Sequence, residues 1–212
     1  MSLPLLRHPR RDAVLLQLKQ NLILREISSK AWDALEPLLE VADYRKGDPL
    51  LHQGTTAMEQ FFIVEGILKR SVSNAEGKEM ILRFAAETDM DTSYAAWRLH
   101  TSVPYSIVAV TAVRAVHLSM PQWVEFLDAH PDIKKRFEYE VMRLMSEVMA
   151  HTITLHLLDA PGRLARFERK HPELLGRIPN KELASYLNLT PETLSRLKQR
   201  RRAGAPRSAA AS

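Results

Sequence analysis

Three textures follow one another along the chain. Residues 12–26, DAVLLQLKQNLILRE, carry apolar side chains at helical spacing, with Asp12 as the N-cap candidate. SSKAWDALEPLLEVA repeats that spacing, capped by Ser28 or Ser29. From Val41 to Met120 the apolar runs become short and are broken by Gly47, Gly54, Gly66 and Gly77. NAEG, between LKRSV and KEMIL, is a hairpin turn signal. YSIVAVTAVRAVHLS alternates through Ile107, Val108, Val110, Val113 and Val116. Many short strands at regular spacing predict a small barrel or roll. After Pro121 the helical period returns, first in PQWVEFLDAHP and then in a long segment from about Asp132 to Leu158 that contains no Pro or Gly.

That long segment carries two apolar stripes. Phe137, Val141, Leu144, Val148, His151, Leu155 and Leu158 step by four and three, the heptad spacing of helices that pair. Met142, Met145, Met149 and Thr152 form a neighbouring stripe. A helix so wide in apolar face must bury two sides. One side can pack on the roll, and the heptad side is expected to meet a second copy of the chain. Burial of both within one monomer is the alternative. His151 falls on this seam, where it would act as a titrating switch or simply as a satisfied interface histidine.

DAPGR at 159–163 breaks the helix and marks the predicted domain boundary. The expected organisation is therefore 1–130 for the N-terminal helices plus the roll and 131–158 for the dimerisation helix. A compact helical unit follows at 159–202, and then a disordered tail at 203–212. No internal repeat is found. The chain has 212 residues, 45% of them hydrophobic and 26% charged, as in ordinary globular proteins. The net charge of +5 is unevenly spread. After Gly162 the acids are only Glu168, Glu173, Glu182 and Glu192, against a long series of Arg and Lys. Such local imbalance points to nucleic acid. The absence of cysteine excludes disulfides, thiolate-held zinc and iron–sulfur clusters. No stretch approaches the ~20 apolar residues of a membrane span, and the start lacks the apolar run of a signal peptide, so a cytoplasmic protein is expected.

KELASYLNLTPETLSRLKQRRR, residues 181–202, reads as two short helices joined by a tight corner. Asn180 or Pro179 starts the first, with Leu183, Ala184 and Leu187 inward. Asn188-Leu189 makes the corner. Thr190 caps the second helix and Pro191 sits at its first position, where a missing N–H costs nothing. Leu194 and Leu197 face inward, which leaves Glu192, Ser195, Arg196 and Gln199 outward. A helix entering the major groove uses its N-terminal residues on base edges. Glu accepts from cytosine, Arg grips guanine and Ser suits either base type. The competing reading gives Glu192 to the helix dipole and Arg196 to solvent.

At LLHQG, FFIVEG and EGKEMIL the sequence resembles the cAMP receptor protein/FNR (Crp/Fnr) family of bacterial transcription regulators. The resemblance covers nearly the whole chain. It implies an α+β fold: a cyclic-nucleotide-binding-like β-roll (a double-stranded β-helix or jelly roll), a long dimerisation helix and a terminal helix-turn-helix. It implies a homodimer on palindromic double-stranded DNA, with RNA polymerase as a candidate further partner and no membrane association. ETLSR resembles the E-x-x-S-R set of the FNR branch, which implies base contacts from Glu192, Ser195 and Arg196 and a TTGAT-like half-site. Lys181, Thr190, Thr193, Lys198, Gln199, Arg200, Arg201 and Arg202 are the backbone-contact candidates, which position rather than specify. The β-hairpin wing often found after the recognition helix has no room here beyond Arg202, so the basic tail is expected to replace some of its contacts.

Cyclic-nucleotide binders of this family carry a Gly-Glu pair and, ten residues after the Glu, an Arg. Reading forward from EGKEMIL, these positions hold Thr92-Ser93 and Val103. Asp89 and Asp91 add two carboxylates, with no Arg expected to offset them, and would repel a phosphate. No cAMP or cGMP binding and no cofactor are therefore expected. Tyr94, Trp97, Arg98, Tyr105 and Ser106 are the candidate lining of a pocket for an unknown effector, if one exists; packing of the roll is the alternative. An enzyme of the cupin type is the first rival. It would need clustered His, whereas His52, His100 and His117 are isolated and His151 and His156 are five apart. A non-enzymatic protein is expected. A dimeric scaffold with a vestigial DNA unit is the second rival, and the ETLSR set argues against it.

Overall fold

The computed structural model describes residues 2–204, and of residues 202–204 the backbone alone. Residues up to 151 and residues from 152 onward form two compact units. The division falls inside the long helix, whose apolar side chains Ile133, Phe137 and Val141 join the core of the first unit.

In the first unit, strand β1 (Ser2–Pro4) leads to helices α1 (Arg11–Leu18) and α2 (Ser29–Leu35). The helix expected over 12–26 stops at Leu18, and Asp12 lies in its first turn while Arg10 is the cap position. Asn21 explains the stop. Its Oδ1 accepts from the Ile23 N–H at 3.0 Å, a local turn that competes with the helix ladder. Its Nδ2 donates to the Thr88 carbonyl at 2.8 Å. Ser28 caps α2, accepting from the Ala31 N–H at 3.2 Å.

The strands that follow are β2 (Glu40–Tyr44), β3 (Pro49–Leu51), β4 (Glu59–Glu65), β5 (Leu68–Ser73), β6 (Glu79–Ala85) and β7 (Met90–Thr92). After helix α3 (Tyr94–Leu99) come β8 (Ser106–Ala109) and β9 (Val113–Ser119). They form two antiparallel sheets, of order β1-β2-β9-β4-β7 and β3-β8-β5-β6. NAEG closes the β5–β6 hairpin as expected, with the Gly77 N–H on the Asn74 carbonyl at 3.0 Å. Gly47, Gly54, Gly66 and Gly77 all take positive φ. Gly66 has the least choice, since a Cβ there would lie 2.1 Å from the Ala112 carbonyl oxygen.

One apolar cluster draws on both sheets and on helices α4 (Met120–Asp128) and α5 (Pro131–Leu157). Trp123 is its centre, edge-on to Phe62 at 5.5 Å and to Phe137 at 5.3 Å. Phe137 also meets Tyr94 edge-on at 5.0 Å. This corrects the seam expected from the heptad. Phe137, Val141, Leu144 and His151 are buried within the single chain, and Val148 and Leu155 are half-buried. The core of the first unit claims the start of that face, at Phe137 and Val141. The methionines of the other stripe are exposed, Met142 at 63%, Met149 at 65% and Met145, and Tyr139, Ile153 and Leu157 of α5 are exposed as well.

The second unit contains α6 (Ala160–Lys170), α7 (Asn180–Tyr186) and α8 (Pro191–Gly204). Asp159 caps α6, accepting from the Gly162 N–H at 2.9 Å. Ala203 and Gly204 continue α8 rather than begin a tail, and residues 205–212 of the expected tail lie outside the described residues.

Candidate functional site

The helical corner forms as its residues dictate. The Leu187, Asn188 and Leu189 N–H groups fold back on the carbonyls of Leu183, Ser185 and Ala184 at 3.0, 3.1 and 2.9 Å. Asn188 takes φ of +52°, a left-handed turn that Asn tolerates. The Thr190 hydroxyl accepts from the Thr193 N–H at 3.2 Å and caps α8. Leu183, Ala184, Leu187 and Leu194 are buried beneath the corner, and Leu197 is half-buried. Arg163, read from sequence only as a basic residue, proves to be a brace. Its Nη1 donates to the Leu187 carbonyl at 2.7 Å and reaches that of Asn188 at 3.3 Å. No sequence signal marks this role, because the contact spans the fold rather than a turn.

This frame leaves Glu192, Ser195, Arg196 and Gln199 exposed on one face of α8. Glu192 lies below the ordinary carboxylate range. Its own backbone N–H contributes most, the Thr190 hydroxyl next, and Arg196 adds. It is therefore an acceptor at neutral pH. Arg196 reaches the Thr193 hydroxyl only at 3.4 Å. The backbone-contact candidates divide. Lys181 and Arg200 are exposed, as is Thr190. Lys198 is tied to Asn180 Oδ1 at 2.7 Å, and Arg201 pairs with Glu168. The Arg202 side chain lies outside the described residues.

The five effector-pocket candidates separate. The Tyr94 hydroxyl donates to Glu138 of α5 at 3.1 Å, with Arg98 over the Tyr94 ring at 5.9 Å. Trp97 packs against the core. The Ser106 hydroxyl accepts from the Gln53 N–H at 3.0 Å. Tyr105 is buried in the core, where its hydroxyl donates to the Thr92 carbonyl at 2.6 Å. Burial pushes that phenol up to about 12, so it stays protonated.

The expectation of carboxylates unopposed by arginine is overturned. Arg70 and Arg83 both enter the interior. Arg70 Nε donates to Asp91 Oδ1 at 3.2 Å. Its Nη2 donates to the same oxygen and, at 3.1 Å, to the Thr92 carbonyl. Arg83 Nη1 donates to the Met90 carbonyl at 3.0 Å and reaches Asp91 Oδ2 at 3.4 Å. Arg70 and Asp91 are each 1% exposed. Burial is the largest influence on the Arg70 guanidinium and pulls it down, but the Asp91 charge, Tyr105 and the Asp91 hydrogen bond together leave Arg70 above its ordinary value. A sequence signal existed: Arg70 shares a strand face with Leu68 and Val72, and Arg83 with Ile81 and Ala85. Asp89 accepts from the Ala86 N–H at 3.1 Å and stands 3.8 Å from Arg83.

Thr92, Ser93 and Val103 occupy the positions where the resemblance would seek a ribose and a phosphate partner, and all three are fully buried by the chain itself. No three His, Asp or Glu side chains gather as metal ligands among the described residues. No helix among them is long and apolar enough to cross a membrane.

Residues 41–130 match the family model of the cyclic nucleotide-binding domain. The chain is 24% identical over 164 residues to the cAMP-activated global transcriptional regulator CRP of Salmonella typhimurium, covering 73% of this chain and 78% of that one. Among solved structures it resembles FixK2 of Bradyrhizobium japonicum, at 15% identity and a TM-score of 0.69 over 81% of this chain and 88% of that one. It likewise resembles the c-di-GMP responsive regulator CLP of Xanthomonas campestris, at 13% identity and a TM-score of 0.68 over 83% and 92%.

Proposed function

We infer that this chain, which belongs to the Crp/Fnr family, is a homodimeric, sequence-specific DNA-binding regulator that works without a cyclic nucleotide. The observation that carries the reading is the outward face of α8. Glu192, Ser195 and Arg196 are exposed together at the start of a capped helix whose other face is anchored by Leu194. Such a helix places an acceptor, a hydroxyl and a guanidinium against base edges in the major groove. Two copies would bring two such helices to successive grooves, about 34 Å apart. The exposed Tyr139–Met142–Met145–Met149 stripe of α5 is the face that supports pairing. Burial of Thr92, Ser93 and Val103 supports independence from cAMP. RNA polymerase is the further partner this reading implies.

The test is a titration of the purified chain against a labelled TTGAT-type inverted repeat and a scrambled duplex, at ~150 mM salt because nonspecific affinity falls steeply with salt. No cyclic nucleotide is added. A preference of ~10³-fold or more for the repeat is expected. Equal affinity for both, followed by a random-library selection that returns no palindrome, would favour a dimeric scaffold instead.

A further inference from the structure

The roll interior holds more charge than folding asks for. Arg70 and Arg83 are directly paired across β5 and β6. Two guanidiniums so placed repel one another, and neither can shed its proton. A roll that needed only to fold would do as well with apolar side chains there. Asp91 answers both cations, and it comes from β7 in the opposite sheet. Its carboxylate thus joins the two sheets through charge at this point. Tyr105 closes the site over it, its ring 4.1 Å from the Arg70 guanidinium carbon and its hydroxyl on the carbonyl of Thr92. The Thr92 N–H completes the cradle, donating to Asp91 at 2.9 Å. Even so, Arg83 Nε is buried with no hydrogen-bond partner, so the cradle has more donors than Asp91 satisfies.

We propose that this cradle is an anion-binding site that the chain fills with its own carboxylate: Asp91 is a built-in anion that stands where an anionic effector would otherwise be needed to hold the roll closed. The inference deepens the reading above, on which it rests, that the roll takes no cyclic nucleotide. It names the reason, and it names the ligand class of the emptied site, a small monocarboxylate. An external anion has no place in the parent chain. Once the carboxylate is removed, two buried cations face a void of the size of formate.

The experiment is thermal melting of the full chain with formate or with chloride at equal ionic strength. Asp91→Ala is expected to melt lower than the parent. Formate should raise its Tm with concentration, as any ligand selective for the folded state does, while chloride does so less. The parent and an Asp91→Ala/Arg70→Met double variant should show no formate-specific rise. An Asp91→Ala variant as stable as the parent, or a formate effect equal in parent and variant, overturns the proposal. So does a Tm rise of the parent with cAMP, which also overturns the no-nucleotide reading. Should Asp91→Ala fail to fold in buffer, its refolding yield from urea is compared in formate and chloride. Recovery in formate alone supports the proposal, and equal failure in both salts sinks it. The melt involves no DNA, so failure of the duplex titration and failure of the rescue are separate outcomes.

Discussion

The two units use arginine in opposite ways. In the roll, Arg70 and Arg83 turn inward, and their donors meet the chain's own carboxylate and carbonyls. In the helical unit, Arg196 and Arg200 stand in solvent on a framed helix. Arg163 sits between these cases, half-buried and braced against the corner carbonyls. An inward guanidinium has already found its anion, whereas an outward one on a rigid element is presented to an anion that arrives. In the roll arginine serves closure; in the helical unit Arg196 and Arg200 are left for the recognition proposed above.

The comparison breaks most sharply at the buried pair. Arg70→Met strands Asp91 without its main cation, and a loss of about 3–5 kcal/mol is expected in urea unfolding. The helix faces give an effect of similar size with a different readout. Phe137→Ala should destabilise each single chain by about 3–5 kcal/mol, the scale of emptying a buried ring. Met149→Glu should leave the stability of one chain nearly unchanged and shift the sedimentation profile from dimer to monomer. At the recognition helix, Arg196→Ala should weaken binding to the preferred duplex by about 1–3 kcal/mol and relax one base position. Lys181→Ala should weaken all duplexes alike and lower the salt slope by about one.

The smallest effect concerns Asp89, which burial raises above the ordinary carboxylate range against the opposing pull of Arg83, the Ala86 N–H and Arg143, with Glu147 adding to the rise. The folded chain then holds that proton more tightly than the unfolded chain does. Stability from this group is present at low pH and is lost as pH rises through its folded pKa. Asp89→Asn should therefore be slightly more stable than the parent at neutral pH. The gain should vanish below the unfolded value of about 4 in denaturation followed against pH.

How far the sequence could be read depends on the distance over which each feature is decided. The corner was legible because its determinants lie within a few residues: Asn188 for the left-handed turn, Thr190 for the cap, Pro191 for the first helical position. The β5–β6 hairpin was legible through NAEG for the same reason. The first helix was overextended because its apolar period continues through Ile23 and Leu24, and only the side chain of Asn21 interrupts it. The two stripes of α5 were both visible, yet periodicity alone cannot say which one meets the roll. Trp123 and Tyr94 decide that, from elements far away in sequence. The charge cradle was missed because it needs the register that pairs Arg70 with Arg83 and brings β7 across from the other sheet.

The placement of Phe137 fixes more than packing. Phe137 and Met142 are five residues apart on one helix, which sets their side chains about 140° apart around its axis. The rod cannot turn to suit one without turning the other. The phase of the outer stripe is thus inherited from the aromatic floor of the roll, as the teeth on one side of a gear follow those on the other. A change of core side chain that rotates the rod would re-aim the exposed Met142–Met149 face, on which the proposed pairing rests, without altering any residue in it.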